Sequence, residues 1–218
     1  RLYNYAMLNV GILGASGFTG VELLRLCAAH PHFNVTYATG DTQAGTLARS
    51  LYPSLSANYP NLVFEEFTLE KALQCDVLFL ALPHEASLEL VPQLYKKVKL
   101  VVDLSAAYRL KNASLYPKWY GFEHTHADLI EHAVYGLPEI NREQLRSAQL
   151  IATPGCYVTA ASLALSPLVA AGVIQAEGVI VDAASGVSGA GRAAKSSNSF
   201  NTVNEDFAAY GLLDHRHT

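Results

Sequence analysis

One cysteine of the chain stands where a nucleophile could form. Cys156 directly follows the turn Pro154-Gly155 and directly precedes a small, apolar run that is typical of a helix. The first turn of a helix presents free N–H groups and a partial positive charge, so we expect a lowered thiol pKa and an exposed sulfur. A free cysteine is often only a small buried hydrophobe, and that interpretation suits Cys27 and Cys75. For Cys156 the position favours a nucleophilic role.

Two histidines near the last residue printed could handle protons. His215 and His217 are two residues apart, so both point to one side of the segment if it is extended. A general acid or base that serves Cys156 is favoured. A metal pair lacks an evident third ligand, so no metal is expected, and a solvated polar segment is the plain alternative.

Cationic residues follow two expected strands. Arg109 ends the segment DLSAAYR, so it is a candidate to hold a phosphate in bidentate fashion, with an ordinary surface charge as the alternative. Arg192 ends the glycine-rich segment SGVSGAGR, in which Ser188 and Gly189 offer backbone donors. This segment is either an anion or cofactor contact or a mobile surface loop.

A glycine turn joins the first strand to the first helix. Its pattern GxxGxxG is a variant of the dinucleotide fingerprint, in which backbone N–H groups approach a pyrophosphate at a helix N-terminus. The expected contacts are Gly14, Ser16, Gly17, Phe18, Thr19 and Gly20. The second strand ends in Thr39, with Asp41 slightly late for a ribose-binding acid. NADP is therefore favoured over NAD.

The elements that must position these residues alternate between strand and helix. Expected strands such as LNVGILG, FNVTYAT, CDVLFLAL, LVVDLS and LIAT, several of them continuous apolar runs, alternate with helical stretches such as GVELLRLCAAH and ASLELVPQLYKK. Continuous apolar strands indicate a parallel sheet covered on both faces. We also predict a strand over GVIVDAA and a helix from Cys156 that stops near Pro167, and the stretch from about 110 to 150 is loop-rich and aromatic.

Composition narrows the class of protein. The chain has 218 residues, of which half are apolar, and a net charge of −4 without a basic block, so neither nucleic acid nor an anionic membrane is an expected partner. Its apolar runs are shorter than a membrane-spanning helix requires. Three widely spaced cysteines fit a reducing compartment, and we expect a cytoplasmic location. We set residues 1–6 aside as a vector remnant or read-through.

Taken together, the motifs resemble one family, the N-acetyl-gamma-glutamyl-phosphate reductases, relatives of the aspartate-semialdehyde dehydrogenases. The segments GILGASGFTGVELLRL, ALPHEAS, DLSAAYRL, YGLPEINR, TPGCYVTAA, SGVSGAGR and HRHT occur in the family's order. The resemblance implies an NADP-dependent reductase of a small-molecule acyl phosphate in arginine biosynthesis. It implies that Cys156 is the nucleophile, that His217 is the acid/base, and that His215 orients His217 or contacts substrate.

The resemblance also sets the expected architecture. We predict an α/β fold, a Rossmann-type doubly wound parallel sheet over 1–153, followed by the start of an α+β catalytic domain over 154–218. A homo-oligomer is expected, and the chain looks shorter than family members. Thr153 stands where many members have Asn, and Ala107-Tyr108 where many have Asp-Phe. Alternatives are another acyl-phosphate reductase, such as an aspartate-semialdehyde dehydrogenase, or a non-catalytic NADP-binding module.

Overall fold

In the part of the chain that the structure describes, six parallel strands between residues 8 and 152 form one sheet. The computed structural model describes residues 6–212 and residue 215. Its strands are β1 (Leu8–Leu13), β2 (Phe33–Ala38), β3 (Val77–Leu80), β4 (Leu100–Asp103), β5 (Ala133–Tyr135) and β6 (Leu150–Ala152). Their order across the sheet is β2-β1-β3-β4-β6-β5, and each neighbouring pair is parallel. The expected Rossmann-type sheet is confirmed.

Helices lie in the connections between the strands and in the segment that follows β6. They are α1 (Phe18–Ala28), α2 (Ala48–Leu51), α3 (Leu69–Ala72), α4 (His84–Leu94), α5 (Tyr116–Tyr120), α6 (Ala127–Ile130), α7 (Pro138–Leu145), α8 (Cys156–Ala170) and α9 (Phe200–Val203). None of the helices within the described residues is both long and apolar enough to cross a membrane.

The sheet has a hydrophobic core on each face. Successive side chains of a strand point to opposite faces, and accordingly Val77 of β3 packs with Leu24 of α1, whereas Leu78 packs with Val91 of α4. Both faces are apolar, which explains why these strands read as continuous apolar runs.

The strand order fixes where a ligand site can form. β1 pairs with β2 on one side and with β3 on the other, so successive connections run in opposite directions from β1. Open parallel sheets bind ligands in the crevice at such a switch point, outside the carboxyl ends of the strands. The glycine turn leaves β1 at this edge, and β4 and β6 end at the same edge.

Three details differ from the sequence prediction. β5 was not predicted; it is an edge strand of only three residues within the aromatic stretch. The strand predicted over GVIVDAA is wrong, because residues 179–184 have no strand neighbour in the described chain and Ile180 is 87% exposed. The stop near Pro167 is also early, since α8 continues to Ala170 and completes one last turn with a hydrogen bond from Ala171 N–H to the Pro167 carbonyl.

Candidate active site

The three glycines of the turn after β1 have different tasks. Gly14 has φ +82°, and a Cβ there would lie 2.3 Å from the Ala81 carbonyl oxygen. A Cβ on Gly20 would lie 2.4 Å from the Gly14 carbonyl oxygen. A Cβ on Gly17 would meet its nearest atom at an ordinary 3.5 Å. Gly14 and Gly20 are therefore required by the protein's own packing, whereas Gly17 leaves open space over the turn.

The start of α1 is prepared for an anion. Gly17 is the N-cap, no side chain caps the helix, and its first turn holds no acidic residue. Phe18 and Thr19 are exposed in that turn. The free N–H groups and the helix dipole therefore remain available for a phosphate group. This arrangement fits the pyrophosphate of a dinucleotide.

Two predicted cofactor residues hold the turn in shape. Thr39 is buried, and its Oγ1 accepts a hydrogen bond from Gly14 N–H at 3.0 Å. Ser16 is also buried, and its hydroxyl donates to the Gly40 carbonyl at 2.9 Å. The structure thus ties the turn to the end of β2, and a direct cofactor contact by either side chain stays a prediction.

The turn after β4 is held by a buried carboxylate. Asp103 accepts hydrogen bonds from Ser105 N–H at 2.9 Å and from the Ser105 hydroxyl at 2.8 Å. The Ser105 Oγ accepts in turn from Ala107 N–H, and Ala106 N–H donates to Nδ1 of His84 at the start of α4. Desolvation raises the pKa of Asp103, while the hydrogen bonds from Ser105 and the charge of Arg109 oppose that rise.

Arg109 links this turn to the cysteine loop. Its Nε donates to the Thr153 carbonyl at 2.6 Å, and its Nη2 donates to the Leu104 carbonyl at 2.8 Å. An arginine has five N–H donors, so these two bonds occupy the Nε–Nη2 edge. The end of the guanidinium, Nη1 with the second Nη2 hydrogen, is the edge left for a bidentate anion.

Cys156 is the first residue of α8 and is exposed. Its N-cap is Gly155, and no side chain caps the helix. The sequence prediction of an exposed sulfur at a helix start is confirmed. The other two thiols are buried, and burial raises the pKa of Cys27 to about 11 and raises that of Cys75.

Tyr210 and His215 lie against the start of α8. The Tyr157 and Tyr210 hydroxyls are 2.5 Å apart, and the His215 ring contacts both tyrosine rings edge-on, with centroids 5.5 Å and 5.6 Å away. His215 therefore lies against the residue that follows Cys156. His217 lies outside the described residues. Neither Tyr157 nor Tyr210 was singled out from sequence, and no spacing signal pointed to the pair.

The second glycine loop is a short turn on the surface. Ser188 and Gly189 lie in a 3-10 turn over Val187–Ala190 and are exposed. Burial raises the pKa of Tyr52, and the charge of Arg192 partly opposes that rise, which puts Arg192 within electrostatic range of Tyr52. The Tyr52 hydroxyl donates to the Ser16 carbonyl at 2.7 Å. Arg192 itself is exposed, and its contact with a cofactor or a phosphate stays a prediction.

The candidate site residues form two groups along the edge of the sheet where the strands end. The glycine turn follows β1, and the cysteine loop follows β6, with β3 and β4 between them. Three strand spacings amount to about 14 Å. A dinucleotide on the glycine turn must therefore extend along this edge to approach Cys156. In the part of the chain that the structure describes, no group of three or more His, Cys, Asp or Glu side chains could hold a metal ion.

Two family models match consecutive parts of the chain. Residues 9–148 match the semialdehyde dehydrogenase NAD-binding domain, which is more than half of the chain, and residues 156–218 match the semialdehyde dehydrogenase dimerisation domain. The chain belongs to the semialdehyde dehydrogenase family. A nicotinamide dinucleotide is the cofactor class that goes with the first of these family domains. The boundary predicted between 153 and 154 stays a prediction.

Curated relatives of the chain include N-acetyl-gamma-glutamyl-phosphate reductases from several bacteria. The chain is 44% identical to the N-acetyl-gamma-glutamyl-phosphate reductase of Saccharophagus degradans and 46% identical to those of Geobacter sulfurreducens and Pseudomonas aeruginosa, over 97% of the chain. It spans 61% of the length of each of these relatives. The family resemblance read from the motifs is confirmed.

Solved semialdehyde dehydrogenases share the fold. An aspartate semialdehyde dehydrogenase of Candida albicans, solved with NADP, matches with a TM-score of 0.54 and 17% identity over 76% of this chain and 48% of that one. Aspartate semialdehyde dehydrogenase II of Vibrio cholerae, in complex with ASA, matches with a TM-score of 0.53 and 19% identity over 76% and 47%. At these identities the likeness concerns the fold alone.

Proposed function

We propose that the protein reduces N-acetyl-gamma-glutamyl phosphate to N-acetylglutamate semialdehyde and inorganic phosphate, with NADPH as reductant, in arginine biosynthesis. One observation carries the proposal: the exposed thiol of Cys156 begins α8 at the sheet edge that also carries the glycine turn. The names of the 44–46% identical relatives supply the substrate.

The cofactor would lie on the turn after β1. Gly17 and the uncapped N–H groups at Phe18 and Thr19 would hold its pyrophosphate, and Ser188 and Gly189 would contact it from the second glycine loop. When bound, NADPH supplies a hydride to the carbonyl carbon. NADP is favoured over NAD because Thr39 directly follows β2, while Asp41 lies beyond it in an exposed 3-10 turn.

The chain's own chemistry begins with Cys156. Its thiolate attacks the acyl carbon, the bond from that carbon to the phosphate oxygen breaks, and inorganic phosphate leaves with the bonding electrons. A thioester then links the acyl group to Sγ. After reduction of this carbonyl, the carbon–sulfur bond breaks, the aldehyde forms and the thiolate returns. A serine would not ionise near neutral pH and would form a less reactive ester.

Cations and a histidine complete the site. The free end of the Arg109 guanidinium would bind the departing phosphate, with Arg192 as a second cation. His217 would give a proton to the oxyanion that forms on reduction, and it would take that proton back as the thiohemiacetal collapses to the aldehyde and the Cys156 thiolate. His215, which lies against Tyr157, would orient His217 or contact the substrate.

The remaining partners follow from the same proposal. A homo-oligomer is expected because residues 156–218 match a dimerisation domain. A cytoplasmic location fits a biosynthetic reductase with a free reactive thiol. Neither nucleic acid nor membrane is proposed as a partner, given the net charge of −4.

A spectrophotometric assay of the reverse reaction tests the proposal. NADP, inorganic phosphate and N-acetylglutamate semialdehyde should give NADPH absorbance with the wild-type protein and almost none with Cys156→Ser. Aspartate semialdehyde is the competing substrate, and a higher kcat/KM for it would assign the protein to the other reductase class. NADPH binding without turnover of either aldehyde would favour the non-catalytic module.

A further inference from the structure

The loop before Cys156 is fixed from one direction by β4 and from the other by Arg109. Thr153 N–H donates to the Asp103 carbonyl at 2.9 Å. The Thr153 carbonyl accepts from Arg109 Nε at 2.6 Å. The two backbone groups of Thr153 are thus bound to the end of β4 and to the segment that follows it.

Only a short, restricted path joins Thr153 to the thiol. Pro154 has a fixed φ and no N–H, and a residue before proline is confined to extended conformations. Gly155 is buried, and its carbonyl already accepts from Thr159 N–H and the Thr159 hydroxyl, each at 2.9 Å. The orientation of the Thr153 carbonyl therefore determines where Cys156 starts α8.

The guanidinium is itself held in place. The Arg109 N–H donates to the Ala106 carbonyl, and Nη2 donates to the Leu104 carbonyl. The charge also acts on the buried Asp103, whose pKa it lowers against the larger effect of desolvation. A lysine could keep the positive charge, but it could not bind both carbonyls with one rigid planar fork.

From these contacts we infer that Arg109 is a positioning residue for Cys156: through the Thr153 carbonyl it sets the start of α8 and so the reactivity of the thiol. This role is additional to phosphate binding and exists before any substrate is bound. It rests on the proposed function in one respect, namely that Cys156 is the nucleophile.

Alkylation of Cys156 by iodoacetamide, without substrate or cofactor, tests the inference. Iodoacetamide is uncharged, so Arg109 does not attract it directly. We expect Cys156 to be alkylated roughly two- to fivefold more slowly at pH 7 in both Arg109→Ala and Arg109→Lys. Without the bond to the Thr153 carbonyl the loop no longer holds Cys156 in the first turn of α8, and the effect of a helix N-terminus is confined to that turn. Arg146→Ala is the matched control and should keep the wild-type rate, since Arg146 is exposed and pairs with Glu143.

The remaining outcomes decide against the inference. A wild-type or faster rate in Arg109→Lys means that charge alone matters, and an unchanged rate in Arg109→Ala means that Arg109 does not act on the thiol.

The buried Cys27 and Cys75 report unfolding in the same mass spectra. If the Arg109 variants unfold, Thr153→Gly decides, because it loosens the same link without touching Arg109: it should slow alkylation, and a wild-type rate would overturn the inference. Failure of the reductase assay would instead count against the proposed function and leave these rates unaffected.

Discussion

The three cysteines differ in burial, and burial sets how each thiol can react. Cys156 is exposed at the first position of α8, whereas desolvation raises the pKa of Cys27 to about 11 and also raises that of Cys75. Brief treatment with iodoacetamide near neutral pH should therefore modify Cys156 first, by roughly tenfold or more. Peptide mass spectrometry reads the order directly, and earlier modification of either buried cysteine would contradict it.

Asp103 should leave a signature in the pH dependence of stability. Its pKa is raised in the folded state, mainly by desolvation. A raised carboxyl pKa means that the folded state binds the proton more tightly, so this contribution is fully present below the unfolded pKa, about 4, and is lost as pH rises through the folded pKa. The free energy of unfolding of wild type relative to Asp103→Asn should therefore fall as pH rises above about 4.

Asp76 provides a control with the opposite sign. Hydrogen bonds from Lys99 and from Asn9 N–H lower its pKa. The stability of wild type relative to Asp76→Asn should therefore fall as pH drops through the acidic range and should be fully present above about 4. Urea titrations of the three proteins between about pH 2 and pH 7 measure both slopes. Parallel curves for wild type and Asp103→Asn would show that the buried carboxyl does not titrate as expected.

At the scale of elements, the glycine turn separates folding from binding. Gly14→Ala places a side chain at φ +82° and 2.3 Å from the Ala81 carbonyl, so it should cost roughly 1–3 kcal/mol of stability or more. Gly17→Ala meets no close atom and should cost less than about 1 kcal/mol. Its methyl group would nevertheless occupy the space proposed for the pyrophosphate, so NADPH binding should weaken at least tenfold, about 1.4 kcal/mol.

Thermal denaturation and fluorescence titration of the two glycine variants provide the measurements. Ser147→Ala, at an exposed position between α7 and β6, serves as a control for NADPH affinity that lies away from the proposed cofactor site. A Gly17→Ala protein that binds NADPH as tightly as wild type would remove this turn from the cofactor site.

Sequence periodicity predicted the elements whose partners lie within the sheet. The runs of β1, β3, β4 and β6 are largely apolar on both faces, whereas β2 exposes Asn34 and Thr36; all five strands were identified correctly, as were α1 and α4. β5 was missed because a three-residue strand at an edge carries too little pattern to detect. GVIVDAA carries the pattern of a strand but makes no ladder in the described residues, because a strand also needs a hydrogen-bonded neighbour.

The sequence indicated which residues lie near the candidate site, but it did not indicate the hydrogen bonds that hold them there. Cys156 and Arg109 were named correctly as residues at the carboxyl ends of strands, since this position follows from the βα alternation. The bond between Arg109 and the Thr153 carbonyl joins residues 44 positions apart, and a backbone acceptor leaves no trace in the identity of its residue. The packing role of Gly14 and Gly20, in contrast to the open space at Gly17, likewise required coordinates.

For the whole molecule, cofactor preference follows from the end of β2. Thr39 is buried there, and Asp41 is exposed in the following turn. NADPH should therefore bind more tightly than NADH, because no acid is placed at the strand end to repel a 2′-phosphate. Fluorescence titration with each nucleotide measures both dissociation constants. Equal values would contradict the assignment of NADP.

The central claim is that Cys156 forms a thioester with the acyl group of N-acetyl-gamma-glutamyl phosphate, and the most direct test is to trap that adduct. The protein is mixed with the acyl phosphate in the absence of NADPH, quenched in acid and digested for mass spectrometry. We predict an N-acetylglutamyl group on the peptide that contains Cys156, with release of an equal amount of phosphate and no adduct in Cys156→Ser. An unmodified Cys156, or the same adduct on Cys27 or Cys75, would contradict the claim.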